Sequence, residues 1–266
     1  MTTAKNAARA AQESPVFRTI ARIGYVVLGV LHIVIGVIAI SVAMGGGGQA
    51  DQGGAMQTIR DTPAGVFALW AIAVGLVALA AWQIADAFLE RQPDTKKKWG
   101  HRAKYLGTAA AYLAIAATAI VYALGGSSNS SESSQTFSAQ LMSTPGGLFL
   151  LVLVGLVVFA VGVAFIIRGA TRAFEKHLEL PGGTVRRGIV TFGVVGYIAK
   201  GIAVAVTGVL FVVAAITHDA QTAGGLDAAL HALAELPFGR VILWVVAAGL
   251  IIYGVFCFAR ARYARM

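Results

Sequence analysis

Residues 21–44 read ARIGYVVLGVLHIVIGVIAISVAM, and no formal charge stands between Arg22 and Asp51. A helix of about 20 apolar residues, rising 1.5 Å per residue, crosses a hydrocarbon core about 30 Å thick. Five more apolar runs follow, so spans are expected at about 23–44, 64–86, 105–124, 146–168, 189–216 and 238–259. Transmembrane strands need only about 10 alternating residues, and these runs are longer and unbroken, which predicts helices rather than a barrel. The expected class is an all-α polytopic membrane protein with six transmembrane helices.

The composition agrees: 58% of the residues are hydrophobic and 12% charged, where a soluble domain carries about 25% charged residues. The net charge of +9 raises nucleic-acid binding. The basic residues, however, alternate from side to side of the apolar spans instead of forming one basic face, which argues against it. Cys257, the single cysteine, lies inside the last apolar run, so an internal disulfide and a Cys-rich metal cluster are excluded. The first twenty residues are polar and mildly basic, with Lys5, Arg9 and Arg18. The run after them exceeds the about 7–15 residues of a signal-peptide core, so the first span is expected to be retained.

The connections sort by charge. Nearly all Lys and Arg lie in the N-terminal tail, 90–104, 168–187 and 260–266. The loops 45–62, 125–144 and 217–236 carry one, Arg60, against Asp51, Asp61, Glu132, Asp219, Asp227 and Glu235. Short basic loops stay inside, which predicts both termini in the cytoplasm. The Gly- and Ser-rich starts of two outer loops, GGGGQADQGG and GGSSNSSESSQ, are expected to be flexible. In LDAALHALAELP, Leu226, Leu230 and Leu233 share a helical face beside Asp227, His231 and Glu235, which predicts a short amphipathic helix on the outer surface.

The chain repeats itself three times. Shifts of 80 to 82 and then 172 to 174 positions bring Tyr25 onto Tyr105 and Tyr197, Gly29 onto Ala109 and Gly201, and Gly36 onto Ala116 and Gly208. The second helix of each pair opens with Pro-x-Gly: Pro63 and Gly65, Pro145 and Gly147, Pro237 and Gly239. The units expected are 21–89, 101–171 and 188–260, between cytoplasmic tails 1–20 and 261–266. Each holds two spans, so all three share one orientation, as parallel repeats about a pseudo-threefold axis along the membrane normal. In combination these motifs resemble the bacterial domain-of-unknown-function family 1206, over nearly the whole chain from about Arg22 to Arg260. The middle unit departs from the pattern, with Lys104 in place of the glycine before Tyr105. The resemblance implies a multi-pass protein of actinobacterial type in a bacterial plasma membrane and brings no activity with it.

Ionisable residues within spans are functional candidates, since inserting one at a helix centre costs about 2.5–3.5 kcal/mol. His32 lies ten residues past Arg22, about 15 Å deep at 1.5 Å per residue. Lys200 aligns with Leu28, shallow enough for its stem to snorkel towards the interface. Positions 25, 28, 29, 32 and 36 share one face of the first helix. Carried through the repeat, that face gathers Tyr25, Tyr105, Tyr197, Thr108, Lys200, His32 and Tyr112, predicting a polar interior lined by the odd-numbered helices. Asp86 aligns with Arg168 and Arg260, and an ion pair between units is expected there. Trp82 and Gln83, one turn away, are expected in an aromatic belt. Asp227, His231 and Glu235 form a weak candidate for a metal outside; no metal or other cofactor is expected.

No Walker loop, dinucleotide fingerprint, HExxH or nucleophile elbow is present. Three functional readings follow. The first is an accessory or scaffold subunit whose Gly-rich helices pack against a membrane partner or a second copy. The second is a small transporter or channel using an interior lined by Tyr25, His32, Tyr112 and Lys200. The third is an enzyme working within the membrane. Beyond the lipid bilayer and such a partner, no nucleic acid is expected as a ligand.

Overall fold

The computed structural model describes residues 14–89 and 95–265, with the side chains of 95–98 excepted. Six long helices form: α1 (Pro15–Ala43), α3 (Gly65–Leu89), α4 (Thr95–Ala123), α6 (Gly147–Ala170), α7 (Gly183–Thr217) and α9 (Gly239–Tyr263). Each contains a stretch long and apolar enough to cross a membrane. Three short helices, α2 (Gln52–Arg60), α5 (Ser130–Met142) and α8 (Gly225–Glu235), cover the face opposite the termini. No strand forms among the described residues, apart from one isolated antiparallel bridge between Leu178 and Ala264.

Local chemistry sets the helix ends. α1 begins eight residues before the expected 23 because Ser14 caps it, its hydroxyl accepting from the Phe17 N–H at 3.4 Å, with Pro15 in the first turn. Short helices begin inside the Gly/Ser-rich stretches, at Gln52 and at Ser130. Asp51 caps α2 through Gly54 N–H at 2.9 Å, and Asn129 caps α5 through Glu132 N–H at 3.0 Å. Three serines of α5 satisfy their hydroxyls by donating to carbonyls four residues back, Ser133 to Asn129, Ser134 to Ser130 and Ser138 to Ser134, while Ser131 donates to the Gly224 carbonyl at 2.8 Å.

The repeated Pro-x-Gly marks the turn from each short helix into the next span. A Cβ at Gly65 would strike the carbonyls of Ile59 and Arg60, one at Gly147 that of Leu141, and one at Gly239 that of Ala234. The glycine is therefore required by close approach of backbone to backbone.

The spans pack mainly across unit boundaries. The second helix of each unit packs closely on the first helix of the next: α3 on α4, α6 on α7, and α9 back on α1. Small residues make those seams. A Cβ on Gly29 would lie 2.7 Å from the Gly254 carbonyl, one on Gly201 2.7 Å from that of Gly162, and one on Gly208 2.7 Å from that of Gly155. The register places Ala109 with Ala80 and Ala116 with Ala73 at the corresponding α3–α4 positions, and all four are buried. Helices without a hydrophobic force between them gain contact by letting backbones approach.

Within units, α1 packs on α3 and α7 on α9, while α4 and α6 of the middle unit have no comparable contact. The pseudo-threefold bundle is therefore open at one junction of six. Trp82 is buried, stacked on Phe17 at 5.7 Å, rather than standing in an interfacial belt.

Candidate functional site

α7, α9 and α1 supply most of the interior. The His32 ring on α1 lies 4.7 Å from the Tyr253 ring, and its Nδ1 lies 2.7 Å from the Leu28 carbonyl. That contact requires the proton on Nδ1, leaving Nε2 as an acceptor. Tyr253 also stands beneath Lys200, whose Nζ is 4.6 Å from the ring centre and 5.3 Å from that of Phe165. Tyr197 packs edge-on against Tyr253 at 5.2 Å and stacks on Phe174 at 5.3 Å.

The arginines expected to meet Asp86 do something else. The Arg260 guanidinium lies 4.4 Å over Tyr25, and that of Arg168 lies 5.4 Å over Tyr197. Neither makes an ion pair with Asp86 among the described residues. In repeat register, each arginine at the end of a second helix sits over the tyrosine opening the next unit's first helix. Asp86 and Tyr105 occupy the same two places at the α3–α4 contact.

Tyr25 and Tyr197 are buried, whereas His32, Tyr112, Tyr105 and Lys200 are half-exposed. Arg260 over Tyr25 and Lys200 over Tyr253, with His32 and Tyr197 packed on the same Tyr253 ring, bring two cations and three tyrosines into one interior. The site is thus cationic and hydroxyl-rich. Neither Lys200 nor Arg260 has a carboxylate partner among the described residues. Sequence reasoning missed Tyr253 and Phe165. The signal was faint: Tyr253 stands in register with Leu79 and Val161, so only one unit of three is polar there.

On the opposite face, the candidate metal cluster is not assembled. His231 Nδ1 comes within 3.4 Å of Asp227, but Glu235 is exposed. No group of three or more His, Cys, Asp or Glu is placed to hold a metal ion among the described residues. Asp227 faces the first unit instead, accepting from the Ala50 N–H at 2.7 Å, beside buried Asp51. Asp51 Oδ2 is buried without a hydrogen-bond partner, and burial, with Asp227 adding to it, raises the carboxyl above its usual 3.8.

A raised carboxyl binds its proton more tightly in the folded state. Its effect is therefore most favourable at acid pH and is lost as pH rises from 3.8 through the folded value. Asp51→Asn keeps the helix cap and removes the charge. It is expected to add about 1 kcal/mol at pH 7, raising the unfolding midpoint in detergent by about 2–4 °C. The gain should shrink towards pH 4.5. A destabilised variant at pH 7 would mean that the carboxylate is needed in its charged form.

The family model described as Domain of Unknown Function (DUF1206) matches the chain three times, at 23–90, 103–172 and 195–264. The uncharacterized protein YxxB of Bacillus subtilis (strain 168) is 30% identical over 260 residues, covering 96% of this chain and 94% of that protein. No solved structure matches.

Proposed function

This chain belongs to the DUF1206 family, and we propose that it is a multi-pass plasma-membrane protein, both termini cytoplasmic, that passes a small anion through its interior. The observation that carries the proposal is the pair Lys200 and Arg260. Both lie among aromatic rings within the bundle, and neither has a carboxylate partner among the described residues. A cation costs about 2.5–3.5 kcal/mol at a helix centre and less towards the interface, where both of these lie, and a ring face returns about 0.5–2 kcal/mol. An anion supplies the missing compensation, and the hydroxyls of Tyr25, Tyr112, Tyr197 and Tyr253 offer it donors. The glycine seams favour this reading over scaffolding, because Gly29, Gly155, Gly162, Gly201, Gly208 and Gly254 are all consumed by packing inside the chain.

One observation favours the accessory-subunit reading. On α4, Gly107, Ala111, Ala114 and Ala117 are exposed, and a Cβ at Gly107 would meet nothing within 4 Å. A partner helix or a second copy would find there the close-packing surface that the other helices have used.

The test is to purify the protein from its native membrane in mild detergent, weigh what accompanies it, and reconstitute it in liposomes. Efflux of chloride, phosphate and acetate is compared with that of potassium. Anion efflux at least tenfold above protein-free vesicles, with potassium unchanged, is the expected result. A stoichiometric second protein with no anion efflux would move the assignment to an accessory subunit. A lone protein with no efflux overturns the transport reading.

A further inference from the structure

The open junction between α4 and α6 ends, on the face that carries the termini, in a cluster of cations drawn from four elements. At its centre is His177, in the 3-10 turn Ala173–His177 that follows α6. Arg168 of α6 approaches its Nδ1 to 3.5 Å. Lys104 of α4, Arg260 of α9 and Lys176 act on the same ring. Partial burial and these four charges hold His177 down to about 4, so at neutral pH the ring is uncharged and can accept from Arg168.

The cluster is pinned in place. Arg265 N–H donates to the His177 carbonyl at 3.0 Å, Glu179 N–H to that of Tyr263 at 2.8 Å, and Phe174 is buried against Tyr197 and Phe256. On the helix faces that carry Lys104 and Arg168 the surface turns apolar: Ala111 of α4 and Val157 and Val161 of α6 are exposed. Tyr112, well inside the span of α4, stays half-exposed.

We propose that this junction is a binding site for an anionic phospholipid. Its phosphate lies among Lys104, Arg168 and Lys176, and an acyl chain lies between α4 and α6. Charge selects the occupant. Arg168 stands at this mouth against His177 and has no carboxylate partner among the described residues, Lys104 and Lys176 flank it on α4 and the turn, and a zwitterionic headgroup would bring a cation of its own. The proposal needs only that the chain spans a bilayer. It therefore stands or falls separately from anion transport.

The experiment is native mass spectrometry of the full chain released from mixed micelles of phosphatidylglycerol and phosphatidylcholine with matched acyl chains. Phosphatidylglycerol should be retained at least tenfold over phosphatidylcholine. The double variant Lys104→Gln/Lys176→Gln, at two exposed positions, should lower that retention at least fivefold and remain monodisperse. Lys200→Met, inside the bundle, should leave it unchanged. Equal retention of both lipids overturns the proposal, as does retention insensitive to the double variant. Displacement of the lipid by millimolar inorganic phosphate would make this a site for free phosphate. Loss of retention in Lys200→Met would place the anion in the interior instead.

Discussion

Leucine in place of Gly208 is expected to leave little folded protein after extraction. A Cβ at this position would fall against the Phe159 backbone nitrogen and 2.7 Å from the Gly155 carbonyl. The obstruction is main chain on the facing helix, so no rotamer change relieves it, and the seam between α6 and α7 must separate along its length. Overpacking of an ordinary core costs about 1–3 kcal/mol. Here that penalty is added to the dispersion attraction forfeited as the two helices move apart. Together they are a large fraction of the about 5–15 kcal/mol that holds a typical domain together. Gly107→Ala is the internal control, because a Cβ there meets nothing within 4 Å. It should be neutral, or stabilising by up to about 1 kcal/mol through helix propensity. Size-exclusion profiles in detergent distinguish the two. A monodisperse Gly208→Leu protein with the wild-type unfolding midpoint would show that α6 and α7 are not packed as described.

The second large effect is expected at Lys200. Lys200→Met retains an apolar stem over Phe165 and Tyr253 and deletes the charge. It should reduce anion efflux by about 10- to 100-fold, the equivalent of the about 1.5–3 kcal/mol of a hydrogen bond to a charged group. Folding should survive, because a partly exposed cation is exchanged for a side chain of similar shape that costs less to place in lipid. The readout is efflux from liposomes alongside the unfolding midpoint. Wild-type efflux from a stably folded Lys200→Met protein would mean that the two rings alone satisfy this lysine, and the interior would lose its principal anion ligand.

The two effects separate what holds the protein together from what it does. The seams are made of atoms that are absent, glycine hydrogens where other residues carry a Cβ, and their penalty for change is steric. The interior is made of charges that lack opposite charges, and its penalty for change is the loss of whatever supplies them. Both follow from one feature of the bilayer as solvent: it neither drives apolar surfaces together nor hydrates polar ones.

Much of this was legible in the residues. Apolar runs, the sorting of lysine and arginine between alternate loops, and the return of Tyr25 as Tyr105 and Tyr197 specify six helices in three like-oriented units, because length, charge and period are local properties. The same register marks the faces of the first helices that carry the polar and small residues. It could not say what those faces meet. A glycine stripe requires a close neighbour without naming one, and the neighbour of Gly29 proves to be Gly254, at the far end of the chain. Nothing in the period forbids each unit from closing only on itself; the first and third do so through Gly24 against Gly75 and Gly249 against Ala199, but the tighter seams join each unit's first helix to the second helix of the preceding unit. Only the tertiary structure decided that the middle unit leaves α4 and α6 apart, that Arg168 and Arg260 rest on tyrosines, and that Asp51 and Asp227 share one buried corner. Sequence period determines which way a side chain points along its own helix. What stands opposite it depends on how the helices are ordered around the bundle.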